Sequence, residues 1–250
     1  MATWYDFLPW DSDFFGCQIA QVSTKQLLRE GLTYPDALAL LQQKNIDLVY
    51  IFADSPIFSA STVAGFSLSG YTLQLTGIRK TYAKQLSLQV LPSYTPVSKI
   101  LPYQQATASK ELTNLCQLCA PTSRFYFDPR LSRQKIVEMY AIWPQNALNL
   151  GKKIFVYQHE EQYLGMVCIA LNENTNTYGS NELMSVSPKA QRQGIAQQLI
   201  TYYEQWLLKQ GITKVYTVTH QHNPATCALF EKNGYSLENK IWCYHAWRQQ

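Results

Sequence analysis

Apolar residues recur at alternating steps of four, three and four in one segment of the chain, at Ile195, Leu199, Tyr202 and Trp206. This spacing places the side chains on one stripe, which predicts an amphipathic helix. Gly211 supplies its stop, because glycine readily adopts the left-handed conformation that follows many helices. Residues 181–185, just upstream, have the pattern of a strand. A strand that turns sharply into an amphipathic helix is therefore predicted here.

The first part of the chain alternates strand-like and helix-like patterns. Strands are predicted over residues 14–22, 47–52 and 71–83, and helices over residues 35–44 and 59–68. Three prolines then interrupt regular structure, at Pro92, Pro96 and Pro102. We place a domain boundary there, which predicts a smaller α/β domain over residues 1–98 and a second domain over residues 99–250.

The second part combines helices with several strands. Helices are predicted over residues 111–118 and 132–143, the latter ended by Pro144. Strands are predicted over residues 153–158, 163–171, 213–219 and 241–247. The order of strands, one crossover helix and strands again predicts an α/β fold with a mixed central sheet and helices on its faces.

Composition narrows the class of protein. With 46% hydrophobic residues among 250, the chain can bury a substantial core. Its net charge of +4 is scattered, so no nucleic-acid-binding surface stands out. The longest apolar run, residues 48–53, is too short to span a bilayer, and the amino terminus lacks a signal-peptide pattern. We expect a cytoplasmic protein without membrane insertion or nucleic-acid partner.

The six cysteines are expected to remain thiols in a reducing compartment. Cys116 and Cys119 form a CxxC pair in a helical stretch, with no second Cys or His pair nearby. Burial is favoured over a metal or redox role, and no metal site is predicted.

The turn before the amphipathic helix, residues 186–196, has the features of an anion site. The first N–H groups of a helix have no partner inside it, and the helix dipole adds positive charge there. Gly194 and Ala196 leave the backbone open to a diphosphate. A strand-to-helix turn that packs closely and binds nothing is the alternative.

Two motifs carry a resemblance to a known family. The pattern Gln-x-x-Gly-x-Ala at residues 191–196 resembles the acyl-CoA loop of the GNAT acetyltransferases, and residues 222–235 resemble the second motif of that superfamily. The resemblance implies the GNAT fold and acetyl-CoA as acyl donor, with no metal. It assigns the grip on the pyrophosphate to the backbone of Gln191, Arg192, Gln193, Gly194, Ile195 and Ala196.

The same resemblance assigns contacts to the pantetheine arm, which in the family lies in a splay between two strands. Met184 and Val186 would offer backbone groups, and Asn223 a side-chain hydrogen bond. Asn223 would look the same as an ordinary helix cap.

Phe230 departs from the family pattern, which commonly has a tyrosine there to protonate the thiolate of coenzyme A. Phenylalanine has no proton to give. Three alternatives follow: Tyr235 or Cys227 substitutes, the enzyme is slower, or catalysis has been lost.

The base that collects the proton from the amine has three candidates: Glu182, His220 and His222. A histidine suits this task near neutral pH. Water alone is the fourth possibility.

Further passages, residues 10–16, 123–128 and 140–143, resemble the dTDP-fucosamine acetyltransferase branch of the superfamily. That resemblance implies a nucleotide-linked amino sugar as acceptor, used for a surface polysaccharide. Arg124, Tyr126 and Arg130 are candidate contacts for it, since guanidinium groups suit phosphates and aromatic rings stack on bases. A salt-linked hinge with Asp128 is the structural alternative.

Two other functions stay open. Phe230 is compatible with a catalytically silent acyl-CoA-binding protein, and the acceptor could be a protein amine. A homodimer is also left open.

Overall fold

The computed structural model describes residues 4–58, 65–87, 99–172 and 177–249. Its strands are β1 (Asp6–Phe7), β2 (Ile19–Ser23), β3 (Leu48–Ala53), β4 (Phe66–Leu68), β5 (Tyr71–Gln85), β6 (Ile100–Pro102), β7 (Lys153–His159), β8 (Gln162–Leu171), β9 (Gly179–Val186), β10 (Lys214–His220) and β11 (Ser236–Arg248). Its α-helices are α1 (Pro9–Phe15), α2 (Thr24–Arg29), α3 (Tyr34–Gln43), α4 (Lys110–Gln117), α5 (Arg133–Asn149), α6 (Ile195–Lys209) and α7 (Pro224–Lys232). Short 3₁₀ turns occupy Ala120–Thr122, Arg124–Phe127 and Pro188–Ala190.

The described strands form one mixed sheet in the order β1-β2-β3-β11-β5-β10-β9-β8-β7-β6, with β4 paired to β5. β2 runs parallel to β3, and β9 runs parallel to β10. The other neighbouring strands are antiparallel. The predicted α/β class, a mixed central sheet flanked by helices, is confirmed.

The two longest strands join the two halves of the chain. β5 precedes the predicted boundary and β11 ends the chain, and they pair from Tyr71 opposite Arg248 to Ala83 opposite Ser236. The sheet therefore runs continuously through residues from both sides of position 98. Residues 88–98 lie outside the described residues, and the division into two domains stays a prediction.

Helix α6 packs on the sheet through the predicted stripe. Ile195 and Leu199 are buried in the core beneath it. Tyr202 and Trp206 lie edge-on to Phe155 of β7, with ring centroids 5.1 and 5.4 Å apart. The stripe thus anchors the helix whose amino terminus borders the cleft described below.

Helix α5 shows that one prediction was wrong, because Pro144 does not end the helix. The helix continues to Asn149 with Pro144 buried inside it. Proline removes the hydrogen bond to the carbonyl four residues earlier. The next turn buries Ala147 in the core shared with Leu112 and Leu115 of α4, which offsets that loss.

Two predictions in the first part were also wrong at their boundaries. Residues 14–22 are not one strand, because α1 extends to Phe15 and Gly16 (φ 78°) ends it before β2 begins. Residues 66–68 are a strand, not part of a helix. Ser69 and Gly70 both have positive φ, which suits a two-residue hairpin turn. The remainder of that predicted helix, residues 59–64, lies outside the described residues.

The last strand begins earlier than predicted, at Ser236. Its register against β5 shifts between Leu237 and Asn239. This irregularity interrupts the alternation of side chains, which is why the pattern alone predicted only residues 241–247.

No helix in the described ranges is long and apolar enough to cross a membrane. Among the same residues, no group of three or more His, Cys, Asp or Glu side chains is arranged to hold a metal ion. The six cysteines are free thiols, and Cys116 is fully buried in the core with α4.

Candidate active site

A cleft opens where β9 and β10 diverge. The two strands pair only at their beginnings, and the last pair is Thr217 opposite Asn181. Beyond it, β10 continues to His220 along β5, while β9 continues to Val186 along β8. The resulting cleft has a volume of ≈ 190 Å³. It is lined by Cys119, Thr122, Ser123, Tyr140, Asn181, Glu182, Leu183, Met184, Thr217, Val218, Thr219, His220, Asn223, Thr226 and Phe230.

The turn from β9 into α6 lies at one end of this strand pair. Arg192 (φ 61°) and Gly194 (φ 79°) adopt the left-handed backbone conformation, and Gly194 is the N-cap of the helix. The helix therefore begins at Ile195, not at Gln191 where the sequence motif starts, because residues in the left-handed conformation cannot belong to a right-handed helix. Its first hydrogen bond runs from the Gln198 N–H to the Gly194 carbonyl (3.0 Å). The N–H groups ahead of it point out of the helix, where the dipole favours an anion.

Side chains of the turn fasten it to the sheet. Gln191 Nε2 donates to the Val186 carbonyl (3.3 Å), and Gln193 Nε2 donates to the Lys189 carbonyl (3.4 Å). Beneath the helix start, a Cβ on Gly165 would lie 3.0 Å from Cγ2 of Ile195. Glycine in β8 thus allows the close approach of α6 that sets the position of the exposed amides.

Two residues assigned to the pantetheine arm, Met184 and Asn223, line the cleft, and so does Phe230, which takes the place of the family tyrosine. The Met184 carbonyl accepts from the Cys119 thiol (3.6 Å). Asn223 caps α7, its Oδ1 accepting from the Thr226 N–H (3.2 Å). Val186 lies at the end of β9, where its carbonyl holds Gln191. The structure therefore brings these residues to the cleft or its edge.

The three candidate bases differ in their surroundings. Glu182 lines the cleft and forms an ion pair with Lys152 (2.6 Å). His220 also lines the cleft, and burial, with the charges of Arg124 and Arg79, lowers its pKa to about 4. His222 is exposed and stacks on Phe127, with ring centroids 3.9 Å apart. Glu182 and His220 thus face the cleft, whereas His222 lies beside it.

The two proposed substitutes for the missing tyrosine hydroxyl lie behind the cleft wall. Tyr235 is buried and its hydroxyl bonds that of Tyr203 (2.6 Å), while the Cys227 thiol is buried against the His220 carbonyl (3.9 Å). Tyr140, which was not among the predicted site residues, also lines the cleft, and burial raises its pKa to about 12. Its place in the 140–143 passage was the available signal.

The structure separates the three candidate contacts for the acceptor. Arg124 lies over the ring of Tyr50, with Cζ 4.1 Å from the ring centroid. Tyr126 lies under the guanidinium of Arg133 (4.2 Å), and exposed Arg130 lies over Trp247 (5.7 Å). Arg124 alone of these three lies next to the cleft residue Ser123.

Arg124 is joined to Asp128 indirectly, through a buried histidine. Its Nη1 donates to Nε2 of His245 (2.5 Å), and Nδ1 of His245 donates to Asp128 Oδ2 (2.6 Å). Because a guanidinium only donates, this arrangement requires a neutral imidazole. Burial lowers the pKa of His245 to about 4, which agrees with that requirement. The expected link between Arg124 and Asp128 therefore exists, but as a three-residue network.

One protein family matches part of the chain. Residues 115–235 match the model of the Acetyltransferase (GNAT) family. The matched range includes both motifs on which the resemblance to this family rests, and it contains the cleft lining and the turn into α6.

Individual relatives extend the comparison. A Bacillus subtilis protein described as spore coat polysaccharide biosynthesis protein SpsD is 26% identical over 137 residues, which are 53% of this chain and 46% of that protein. The chain thus matches about half the length of this curated relative.

Two solved structures share the fold. A tandem GNAT protein from the clavulanic acid biosynthesis pathway matches with a TM-score of 0.57 at 10% identity, over 93% of this chain and 76% of its own. A GCN5-related N-acetyltransferase from Sphaerobacter thermophilus matches with a TM-score of 0.56 at 12% identity, over 96% and 75%. At these identities the likeness concerns the fold alone.

Proposed function

We propose that this protein is an acetyl-CoA-dependent N-acetyltransferase whose acceptor is the amine of a nucleotide-linked amino sugar. The observation that carries the proposal is the divergence of β9 and β10 beside a left-handed turn whose helix amides are open to an anion. The residues present fit acetyl-CoA: amides for its diphosphate and a cleft for its pantetheine arm. The polysaccharide role of the SpsD relative, together with the 10–16, 123–128 and 140–143 passages, supports a sugar acceptor.

In the proposed reaction, the nitrogen lone pair of the amine attacks the thioester carbonyl, an N–C bond forms, and the C–S bond breaks to release coenzyme A. His220 takes the proton that the nitrogen loses. It is neutral at pH 7, since its pKa is lowered to about 4, so its lone pair is free. A weak base suffices, because the nitrogen becomes far more acidic once it has bonded to the carbonyl carbon.

Tyr140 is the proposed hydrogen-bond donor for the departing thiolate, in place of the missing hydroxyl at position 230. Its side chain lines the cleft together with Phe230. A thiolate leaves well without full proton transfer, so a donor with a raised pKa is adequate. Glu182, paired with Lys152 at the rim, is proposed to orient the acceptor.

The direct test mixes purified protein with acetyl-CoA and a dTDP-linked amino sugar and measures the N-acetylated sugar by mass spectrometry. Mass detection is preferable to a thiol reagent, because the chain itself carries six free cysteines. Parallel reactions contain a lysine-bearing peptide. Acetylated sugar is the expected product. Acetylated peptide without acetylated sugar would contradict the proposed acceptor.

Phe230 favours a second candidate, a silent acyl-CoA-binding protein. Its side chain is 2% exposed and packs against Tyr82 and Tyr235, with ring centroids 6.1 and 5.4 Å away. Such a protein would bind acetyl-CoA and acetylate none of the amines. Tight binding without turnover, combined with new activity in the Phe230→Tyr variant, would establish it.

Replacement of Gly194 by valine is expected to weaken acetyl-CoA binding about tenfold or more. A Cβ at this position has room, because its nearest neighbour is Gln198 Nε2 at 3.8 Å, so the change acts through the backbone. A β-branched residue at φ 79° is strained and would shift the turn that aims the amides. Calorimetric titration with acetyl-CoA measures the effect.

Gly151→Val is the matched control for this experiment. Gly151 also adopts the left-handed conformation (φ 69°), and a Cβ added there would meet open space. It follows α5 and is not part of the turn into α6. It should lose comparable stability and keep its affinity for acetyl-CoA. Equal loss of affinity in both variants would mean that general destabilisation, not the turn, controls binding.

A further inference from the structure

We propose that Arg79 and Arg124 form a subsite for the phosphoryl groups of the acceptor, beside the acetyl-transfer cleft. This inference rests on the proposed function and deepens it, because it assigns the charged part of the acceptor to a particular face of the sheet. The sequence analysis did not identify Arg79.

The two arginines converge from distant parts of the chain. Arg79 lies on β5, opposite His220 of β10, whereas Arg124 comes from the 3₁₀ turn that covers this face of the sheet. Both guanidinium groups lie over the ring of Phe52, with Cζ 5.4 Å (Arg79) and 5.3 Å (Arg124) from its centroid. One aromatic ring therefore lies against both cations.

Neither guanidinium forms a direct ion pair with a carboxylate of the described residues. Within the described ranges, no carboxylate oxygen lies within 4.0 Å of either guanidinium. Arg79 Nε is buried without a hydrogen-bond partner among the described residues, and Arg124 Nη1 donates to the neutral imidazole of His245. Asp11 interacts with Arg124 at longer range, and burial raises the pKa of the Asp11 carboxyl. Asp128 is joined to Arg124 only through His245. The pair thus has no direct carboxylate partner among the described residues, and one of its buried donors, Arg79 Nε, is unpaired there.

The surroundings of two neighbouring histidines indicate an excess of positive charge beside the two arginines. His220 and His222 both lie over Gly77, where a Cβ would come 3.3 Å from Nδ1 of His220 and 3.4 Å from Cδ2 of His222. Burial lowers the pKa of His220, and Arg124, Arg79 and His222 lower it further. Nδ1 of His220 is also buried, with no hydrogen-bond partner in the part of the chain that the structure describes. An anion beside the arginines would relieve this unfavourable field.

The chemistry of the pair matches a diphosphate. Guanidinium groups donate in a planar fork to two phosphate oxygens and stack on aromatic rings, so rings can hold them in place without cancelling their charge. The cleft residues Ser123 and His220 are, respectively, the chain neighbour of Arg124 and the register partner of Arg79. A diphosphate held here would leave the attached sugar within reach of the diverging strands.

The test is calorimetric titration of dTDP into protein saturated with coenzyme A, which keeps the α6 turn occupied. Wild type should bind dTDP, and Arg79→Gln should weaken that binding about tenfold or more. Arg79→Lys, which keeps the charge but loses the fork, should show a smaller loss. Lys80→Gln is the matched control, because the next residue of β5 points to the opposite face. Its dTDP affinity should stay within about twofold of wild type, as expected for a surface position.

Acetyl-CoA affinity and the unfolding midpoint are measured for every variant. Wild type that binds acetyl-CoA but not dTDP would overturn the subsite, and so would Arg79 variants that bind dTDP as wild type does. Thymidine that binds as tightly as dTDP would also overturn it, because recognition would then not involve phosphate. Failure of acetyl-CoA itself to bind would instead contradict the proposed function.

Discussion

Replacement of His220 by asparagine is expected to lower kcat about 100-fold or more while leaving the affinity for acetyl-CoA unchanged. General-base catalysis contributes roughly 10²–10⁴-fold, and His220 is the neutral imidazole that lines the cleft at the end of β10. Asparagine retains a polar side chain at the cleft wall but cannot take up a proton. Single-turnover formation of acetylated sugar, followed by mass spectrometry, measures the effect separately from product release.

His222→Asn is the matched control for that experiment. His222 is two residues away and stacks on Phe127 outside the cleft lining, so kcat should change less than about threefold. Glu182→Gln should raise KM for the acceptor more than it lowers kcat if Glu182 orients the substrate. A large loss of kcat in the Glu182 variant, with His220→Asn near wild type, would transfer the role of base to Glu182.

The features that sequence reasoning predicted well are local ones. The stripe on α6 and the cap Asn223 each depend on a few neighbouring residues, and the structure contains both. The motifs also placed Glu182, Met184 and His220 near one another, and all three line the cleft. In these cases the residues of one short segment are enough to determine its local structure.

The features that it missed depend on tertiary contacts. Pro144 reads as a helix end, yet burial of the following turn against α4 carries α5 past it. Arg79 carries no motif. Its importance appears only when β5 aligns it with His220, and the covering turn brings Arg124 to the same ring. No periodicity within a segment encodes such a register across the sheet.

The hydrogen-bond network of Arg124, His245 and Asp128 also depends on tertiary contacts, and we expect it to contribute strongly to stability. Asp128 and His245 are both fully buried, although they are far apart in the sequence. The carboxylate accepts from His245 Nδ1 (2.6 Å), from Trp247 Nε1 (2.9 Å) and from the Arg130 N–H (2.9 Å). Burial alone would raise the pKa of Asp128, but these hydrogen bonds outweigh it and hold the pKa below its usual value.

Replacement of Asp128 by alanine is therefore expected to lower the free energy of unfolding by about 3 kcal/mol or more. It leaves three donors without an acceptor, of which His245 Nδ1 is fully buried and the other two are partly buried, and a buried unsatisfied group costs about 1–3 kcal/mol. It also removes the negative charge closest to the His245–Arg124 pair. Denaturant unfolding at neutral pH measures the change. Asp54→Ala, at an exposed aspartate, is the control and should change stability by less than about 0.5 kcal/mol.

The pH dependence of wild-type stability tests the protonation state that this network requires. The pKa of His245 is about 4 in the folded chain, whereas the ordinary value is 6.5. Between pH 4 and pH 6.5 the imidazole is therefore protonated in the unfolded chain and neutral in the folded chain. Above pH 6.5 this difference does not reduce the free energy of unfolding. As the pH falls from 6.5 towards 4, the free energy of unfolding decreases by about 3 kcal/mol. His220 acts in the same direction, and the His220→Asn variant separates its share. Stability that stays flat over this range would mean that His245 is already protonated when folded, and Arg124 would then face a cation instead of an acceptor.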